Sequence, residues 1–392
     1  MQKPQPQQRK LLTLPQLIPI AIIVAATLVL PGSDVYTHTH QAWLFHYMMQ
    51  HKVLLREDFS MLSGHQPLYG VGSFSYILAG LGWFVFGTAV VKVMEVILFA
   101  GLVLLSLKIF KSTKMLFLWY ALIFIKILLP DSLTYLTSMF LFYLGVYFIQ
   151  RFKNKPFGDI AIGVAGLNHP YVAVSNLFTI FFGRAILFLS TLVILVIQVF
   201  LLKYVFFSNI VKFEFDNVFD LAIRSVVMLF PFAESLMPKF LARFANLKTT
   251  YYLTIAGVLV IYPIFFVPFE MGWKEGISCY YQKTYSEIPN LPGNIRIVDP
   301  CRNWIYLFPL RGMVTSLSPY FEGQFYQHEW TEEEYLSYLK ETNTSYVIFC
   351  KDCKIRTKTR QETGEIGILK KNFAVYADPK SYTVFDVRKA TG

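Results

Sequence analysis

Residues 15–40 read PQLIPIAIIVAATLVLPGSDVYTHTH. The stretch from Pro15 to Pro31 carries no charge and is long enough to cross the hydrocarbon core of a bilayer as a helix. Arg9 and Lys10 precede it, and a basic flank keeps its end of a span in the cytoplasm. No small-x-small cleavage site follows, so the run reads as a retained span and not as a cleaved leader. Beyond it, at the mouth of the membrane, the chain presents a carboxylate, Asp34, and two imidazoles, His38 and His40.

The rest of the chain extends this division. Residues 1–270 hold 31 charged side chains, about 11%, whereas residues 271–392 hold 30, about 25%, the share of an ordinary soluble domain. With 55% apolar residues overall, a disordered or ordinary cytosolic protein is excluded. The expected organisation is a transmembrane domain over 1–270, with an external loop at 32–67, and a soluble extracytoplasmic α/β domain over 271–392. The net charge of +11 is just as uneven. The first part has 20 Lys and Arg against 11 Asp and Glu, the second 16 against 14, so the excess belongs to membrane-flanking loops and no nucleic acid is expected as a partner.

Further apolar runs fall at 68–88, 89–107, 115–130, 132–150, 157–183, 185–207, 218–237 and 249–268, which suggests a polytopic helical protein of about 8 spans. Basic clusters punctuate them: Lys108, Lys111 and Lys114; Arg151, Lys153 and Lys155; Arg184; Lys239, Arg243 and Lys248. Placing all of these in the cytoplasm requires that the glycine-rich run 68–88 lie in the interface or re-enter. It also requires that 157–183 be two half-helices broken at Asn168-His169-Pro170, because proline lacks a donor and disfavours helix before it. The external face then collects the loop 32–67, the Pro130-Asp131 turn, the Asn168-His169-Pro170 break and the terminal domain. In that domain β-rich runs occur at Ile295–Asp299, Ser345–Cys350, Phe373–Ala377 and Tyr382–Val387, with a helix opened by a Thr331/Glu334 capping box and running through Lys340.

Asp34 suits a general base, or a hold on a divalent cation, as well as a simple helix cap. Glu57 and Asp58 offer a second carboxylate, and Arg56 a planar fork for phosphate. His65 and Tyr69 close the same loop in His65-Gln66-Pro67-Leu68-Tyr69-Gly70. His38 and His40 can ligate a metal only if the backbone there is extended, since residues two apart diverge on a helix. Gln41 to Met49 has the spacing of a helix lying in the interface. Within the apolar runs, Lys92 and Glu95 are expected to pair three residues apart. Lys126, Asp131, His169 and Glu234 are candidates to face a cavity, because ionisable groups in lipid are costly. All four cysteines follow residue 270, and an external location favours disulfides, Cys279 with Cys301 being the expected pair. No P-loop, dinucleotide fingerprint, GxSxG or HExxH occurs.

The order of these features resembles the GT-C class of membrane glycosyltransferases, including the membrane proteins described as related to 6-pyruvoyl-tetrahydropterin synthase. The likeness rests on a cytoplasmic N-terminus and one span, then Asp34 just beyond the membrane, Gln66-Pro67-Leu68-Tyr69, the Pro130-Asp131 turn, further spans and a small external α/β domain. It implies transfer of a hexose or pentose from a polyprenyl-phosphate donor to a glycan or protein acceptor on the external face. Asp34, Glu57 and Asp58 would then be catalytic. His38, His40, Arg56, His65, Tyr69, Lys126, Asp131 and His169 would bind substrate, in contact with membrane lipid and with a divalent metal as the one cofactor to consider. The acidic pair of fuller spacing common in the class is missing at Asp34. A non-catalytic polytopic scaffold or binding protein of the same fold is the alternative. A transporter is disfavoured, because only one broken run occurs and no repeat answers it.

In a cysteine-free background, a cysteine placed at Ser112 or Asn154 is expected to react with a membrane-impermeant maleimide only after permeabilisation. Labelling of either in intact cells would invert the orientation.

Overall fold

The computed structural model describes residues 35–55, 73–110, 115, 116, 119, 132–152, 155–177, 192, 193, 196, 228–231, 287–298, 311, 313–315, 330–350, 360–380 and 382–391. Most of these are helical, followed by a small C-terminal α/β part. They fall into two compact units, one holding 92–177 and 228–231, the other 35–91 and 287–391.

In the first unit the main helices are α3 (Val90–Ile109), which begins two residues before it, α4 (Ser132–Arg151), α5 (Lys155–Asn168) and α6 (Pro170–Leu177). Small residues set their spacing. A Cβ on Gly101 would lie 2.7 Å from the Phe140 ring, and one on Gly145 would lie 2.6 Å from the Gly158 carbonyl oxygen. Glycine is what lets α3 approach α4, and α4 approach α5, as in membrane bundles where close packing replaces the hydrophobic drive. Phe110, Trp119, Tyr143 and Phe230 form a buried aromatic knot, with Trp119 and Tyr143 centroids 5.2 Å apart. Lys92 Nζ donates to Glu95 Oε2 at 2.7 Å, the expected pairing, and the carboxylate is buried while the lysine reaches outward.

The second unit opens with α1 (Val35–His51) and α2 (Ser73–Phe86). Helix α1 ends in a left-handed residue, Lys52 at φ 55°, and the Val53 N–H returns to the Met48 carbonyl, the six-to-one bond of a Schellman stop. After α2 a single 3₁₀ turn (Gly87–Ala89) with Gly87 at φ 52° redirects the chain into α3. The turn is sharp, since a Cβ on Gly82 would lie 2.8 Å from Val90 Cγ2, whereas eight residues of straight helix span about 12 Å.

Two stretches, Phe74–Ile109 and Leu133–Arg151, are long and apolar enough to cross a membrane. The turn at Gly87 divides the first. Helix α3, with 20 residues, covers about 30 Å and matches the hydrocarbon core. Ile77, Leu81, Phe84 and Val85 are exposed on α2, an apolar stripe suited to lipid.

The α/β part holds β1 (Asn294–Val298), β2 (Val314–Thr315), α7 (Glu332–Glu341), β3 (Thr344–Cys350), α8 (Arg360–Asn372), β4 (Ala374–Ala377), β5 (Tyr382–Asp386) and the short α9 (Arg388–Thr391). Its strand order is β2-β1-β3-β5-β4, with β1 parallel to β2 and β3, and β5 antiparallel to β3 and β4. All four expected strands form within a residue of their read limits. Helix α7 starts on the expected capping box: the Glu334 N–H donates to Thr331 Oγ1, and the Thr331 N–H to Glu334 Oε2 at 3.0 Å.

One face of the sheet packs against α7 and α8 through Tyr335, Tyr338, Leu339, Val347, Leu369, Phe385 and Val387. The register pairs Arg296 with Val347, so an arginine stands in this apolar layer. Arg296 Nε and Nη2 both donate to Glu365 Oε1 of α8, at 2.9 and 2.7 Å, and its guanidinium lies over the Tyr338 ring. Burial opposes the guanidinium charge, but Glu365 outweighs it and holds Arg296 protonated well above the usual range.

Removing one partner of such a pair strands a buried charge. Glu365→Ala is expected to destabilise the α/β part by about 3–5 kcal/mol, measured by pulse proteolysis of the full chain. The double variant Arg296→Met with Glu365→Leu is expected to recover most of that loss.

Candidate functional site

Two buried polar clusters stand among the apolar helices, one in each unit. The first belongs to α1, where His38, Thr39, His40 and Gln41 are consecutive and all buried. Four polar residues in a row cannot share one helix face. His38 and His40 project about 200° apart, so the two-imidazole metal site, which needed extended backbone, is not formed by this pair. Nor does any group of three His, Cys, Asp or Glu residues suited to a metal occur among the described residues.

Each imidazole has its own aromatic setting. His38 Nδ1 lies 3.0 Å from Tyr76 Oη of α2, and Phe45 borders the same tyrosine. His40 lies against Trp43 at 5.6 Å. Tyr47 and His51 meet with centroids 4.2 Å apart. His46 stacks on Trp83 and meets Phe84 edge-on at 4.4 Å, and burial there holds its pKa below the ordinary value. Helix α2 comes this close because of Gly80, where a Cβ would lie 2.9 Å from Phe45 Cβ and 3.0 Å from the His46 nitrogen.

The second cluster surrounds the Asn168-His169-Pro170 break, which the structure places as expected: α5 ends at Asn168 and α6 starts at Pro170. The two half-helices fold back on each other. Asn176 Nδ2 donates to the Ile162 carbonyl at 2.9 Å, and each of these residues is seven from His169. A Cβ on Gly166 would collide with Asn176 Nδ2 at 2.6 Å, so the small residue makes the fold-back possible. Asn168 Nδ2 ties the break to α4, donating to the Thr134 carbonyl at 3.0 Å and to Ser138 Oγ at 2.8 Å. The His169 carbonyl accepts from the N–H groups of Val172 and Ala173, and its ring meets Tyr135 edge-on at 5.2 Å.

Of the residues singled out in the sequence, His38, His40 and His169 are thus located, the first two in one unit and His169 in the other. Asp34, Arg56, Glu57, Asp58, His65, Tyr69, Lys126 and Asp131 lie outside the described residues, as do Glu234, Cys279 and Cys301. Sequence reasoning missed Tyr76, whose partner is 38 positions away, and the Thr134 and Ser138 acceptors, which read as ordinary helix residues. No family model, no curated protein and no solved structure matches the chain.

Asn168→Ala removes two side-chain hydrogen bonds from a buried break. A loss of about 1–3 kcal/mol is expected, read as a lowered Tm of the full chain in detergent, with Ser138→Ala losing less.

Proposed function

We propose that the chain is a membrane glycosyltransferase that moves a sugar from a polyprenyl-phosphate donor to a glycan or protein acceptor on the external face. It would do so from a GT-C-like bundle of about eight spans with an extracytoplasmic α/β domain. The observation that carries this is the buried polar segment of α1, His38 to Gln41, on a helix that packs against α2. Polar and ionisable groups inside an apolar bundle are expensive and mark places where a ligand or proton is handled. In the other unit, the folded-back half-helix pair is irregular backbone of the kind tolerated at membrane depth where it is buried in protein or lines a polar cavity.

In this reading an acceptor hydroxyl attacks the anomeric carbon and the bond from that carbon to the phosphate oxygen breaks. The electron pair leaves on the polyprenyl phosphate, and Asp34 takes the acceptor proton. Arg56 and Lys126 balance the leaving phosphate, while Glu57 and Asp58 provide the second carboxylate. Asp131, His65, Tyr69, His40 and His169 are assigned to substrate contact.

A positioned base contributes roughly 10²–10⁴ in rate. With the full chain in nanodiscs and a polyprenyl-phosphate sugar as donor, Asp34→Asn is expected to lower transfer at least 100-fold. Full activity in that variant removes Asp34 from catalysis. Absence of transfer by the unmutated chain from every such donor leaves the non-catalytic scaffold.

A further inference from the structure

Strand β4 (Ala374–Ala377) forms one edge of the sheet, and its four residues carry no charge. Val375 is 51% exposed and Tyr376 52%. The charges around this edge indicate what it takes. Residues 370–389 hold five Lys and Arg against two Asp, in a part that is near neutral as a whole. The ladder sets Ala374 opposite Asp386, so Lys370 and Lys371 at the end of α8 gather with Arg388 and Lys389 at one end of β4. Lys380 stands beyond the other end, and all five cations are exposed. Arg388 forks onto Asp386, with Nη2 at 2.6 Å, Asp378 accepts from Thr383, and Glu332 of α7 meets Lys371, so a cationic surplus remains. The Tyr376 ring rests against Tyr346, over which the Arg388 guanidinium lies at 5.2 Å, and aromatic and cation share one surface.

A second strand fits this edge poorly. Two-fold pairing of β4 with a copy of itself, centred between Val375 and Tyr376, sets Lys371 opposite Lys380 and puts Pro379, which has no N–H, into the ladder opposite Asn372. Lysines and a proline around a short edge strand are how sheets refuse strand addition. The same lysines complement an anionic surface, where each cation gains about fivefold in binding. Tyrosine settles at headgroup level, its ring in the apolar margin and its hydroxyl in water. That region is wet, so the edge N–H and C=O groups keep their partners there, as they would not in hydrocarbon. We propose that the β4 edge docks on a bilayer bearing anionic phospholipid, with Val375 and Tyr376 at the interface and the surrounding cations against lipid phosphates. A bilayer is at hand, because the same chain holds two stretches long and apolar enough to cross one, and tethering raises its effective concentration. Docking of this kind is independent of sugar transfer.

The test uses the full chain in vesicles of equal parts phosphatidylcholine and phosphatidylglycerol, with the photoreactive residue p-benzoylphenylalanine in place of Tyr376. Both leaflets carry the same lipids, so the readout does not depend on which side the α/β part occupies. Irradiation is expected to attach phospholipid to the peptide holding residue 376, and far less to the peptide holding the same group at Ser337, exposed on α7. Attachment is expected to fall in vesicles of phosphatidylcholine alone and at high salt, which screens exposed charges. Combining Lys370→Gln, Lys380→Gln and Lys389→Gln is expected to lower the docked-to-undocked ratio about 100-fold, with the pulse-proteolysis stability of the α/β part unchanged. Should that variant lose stability, the neutral-lipid and high-salt arms decide, since both keep the native lysines. Attachment at residue 376 no greater than at Ser337 overturns the proposal, as does attachment indifferent to lipid charge and to salt. Attachment of residue 376 to a second chain in place of lipid also overturns it and makes the edge an interface between copies.

Discussion

A polar group taken out of water costs several kcal/mol unless a partner meets it, and this demand accounts for most of the specific geometry in the protein. Apolar surface alone would hold the helices together in many registers. What selects one is the need of Asn168 for the Thr134 carbonyl and the Ser138 hydroxyl, of His38 for Tyr76, and of Glu95 for Lys92. Arg296 and Glu365 impose the same condition on the α/β part, where a mispacked α8 would leave both charges buried and alone. Glycines do the complementary work. At Gly80, Gly145 and Gly166 the absence of a side chain lets two helices come near enough for these bonds to close.

The elements that proved legible in the sequence are those specified locally. The capping box at Thr331 and Glu334, the Lys92–Glu95 pair and the proline break after His169 each depend on residues within one helical turn, and all three form as expected. The strands at 294–298, 344–350, 374–377 and 382–386 were readable because β-rich runs stand between charged segments. Their order was not, since nothing near β3 states that β1 will lie on one side and β5 on the other. Strand β2, only two residues long, carries no pattern, and α8 does not stand out in the sequence because it is polar and contains two glycines.

The histidine-rich segment shows the same limit within a site. Composition singled out His38 and His40 and left helix or strand open, and the backbone resolves that against a shared metal. Tyr76 was invisible because it lies in an apolar run of tyrosine, leucine and phenylalanine, where one hydroxyl has no distinguishing signal. A hydrogen bond between positions 38 apart is a property of helix packing, and packing is what a single sequence encodes least directly.

The sheet order has a consequence for synthesis. Strand β3 is central, yet β5, the neighbour that closes one of its edges, is translated more than thirty residues later, after α8 and β4. Until β5 pairs with it, that edge of β3 is an open row of hydrogen-bonding groups, the kind of surface that templates wrong pairings. The sheet therefore cannot close until residue 386 has been made, and the α/β part completes its fold only when almost its whole length is available.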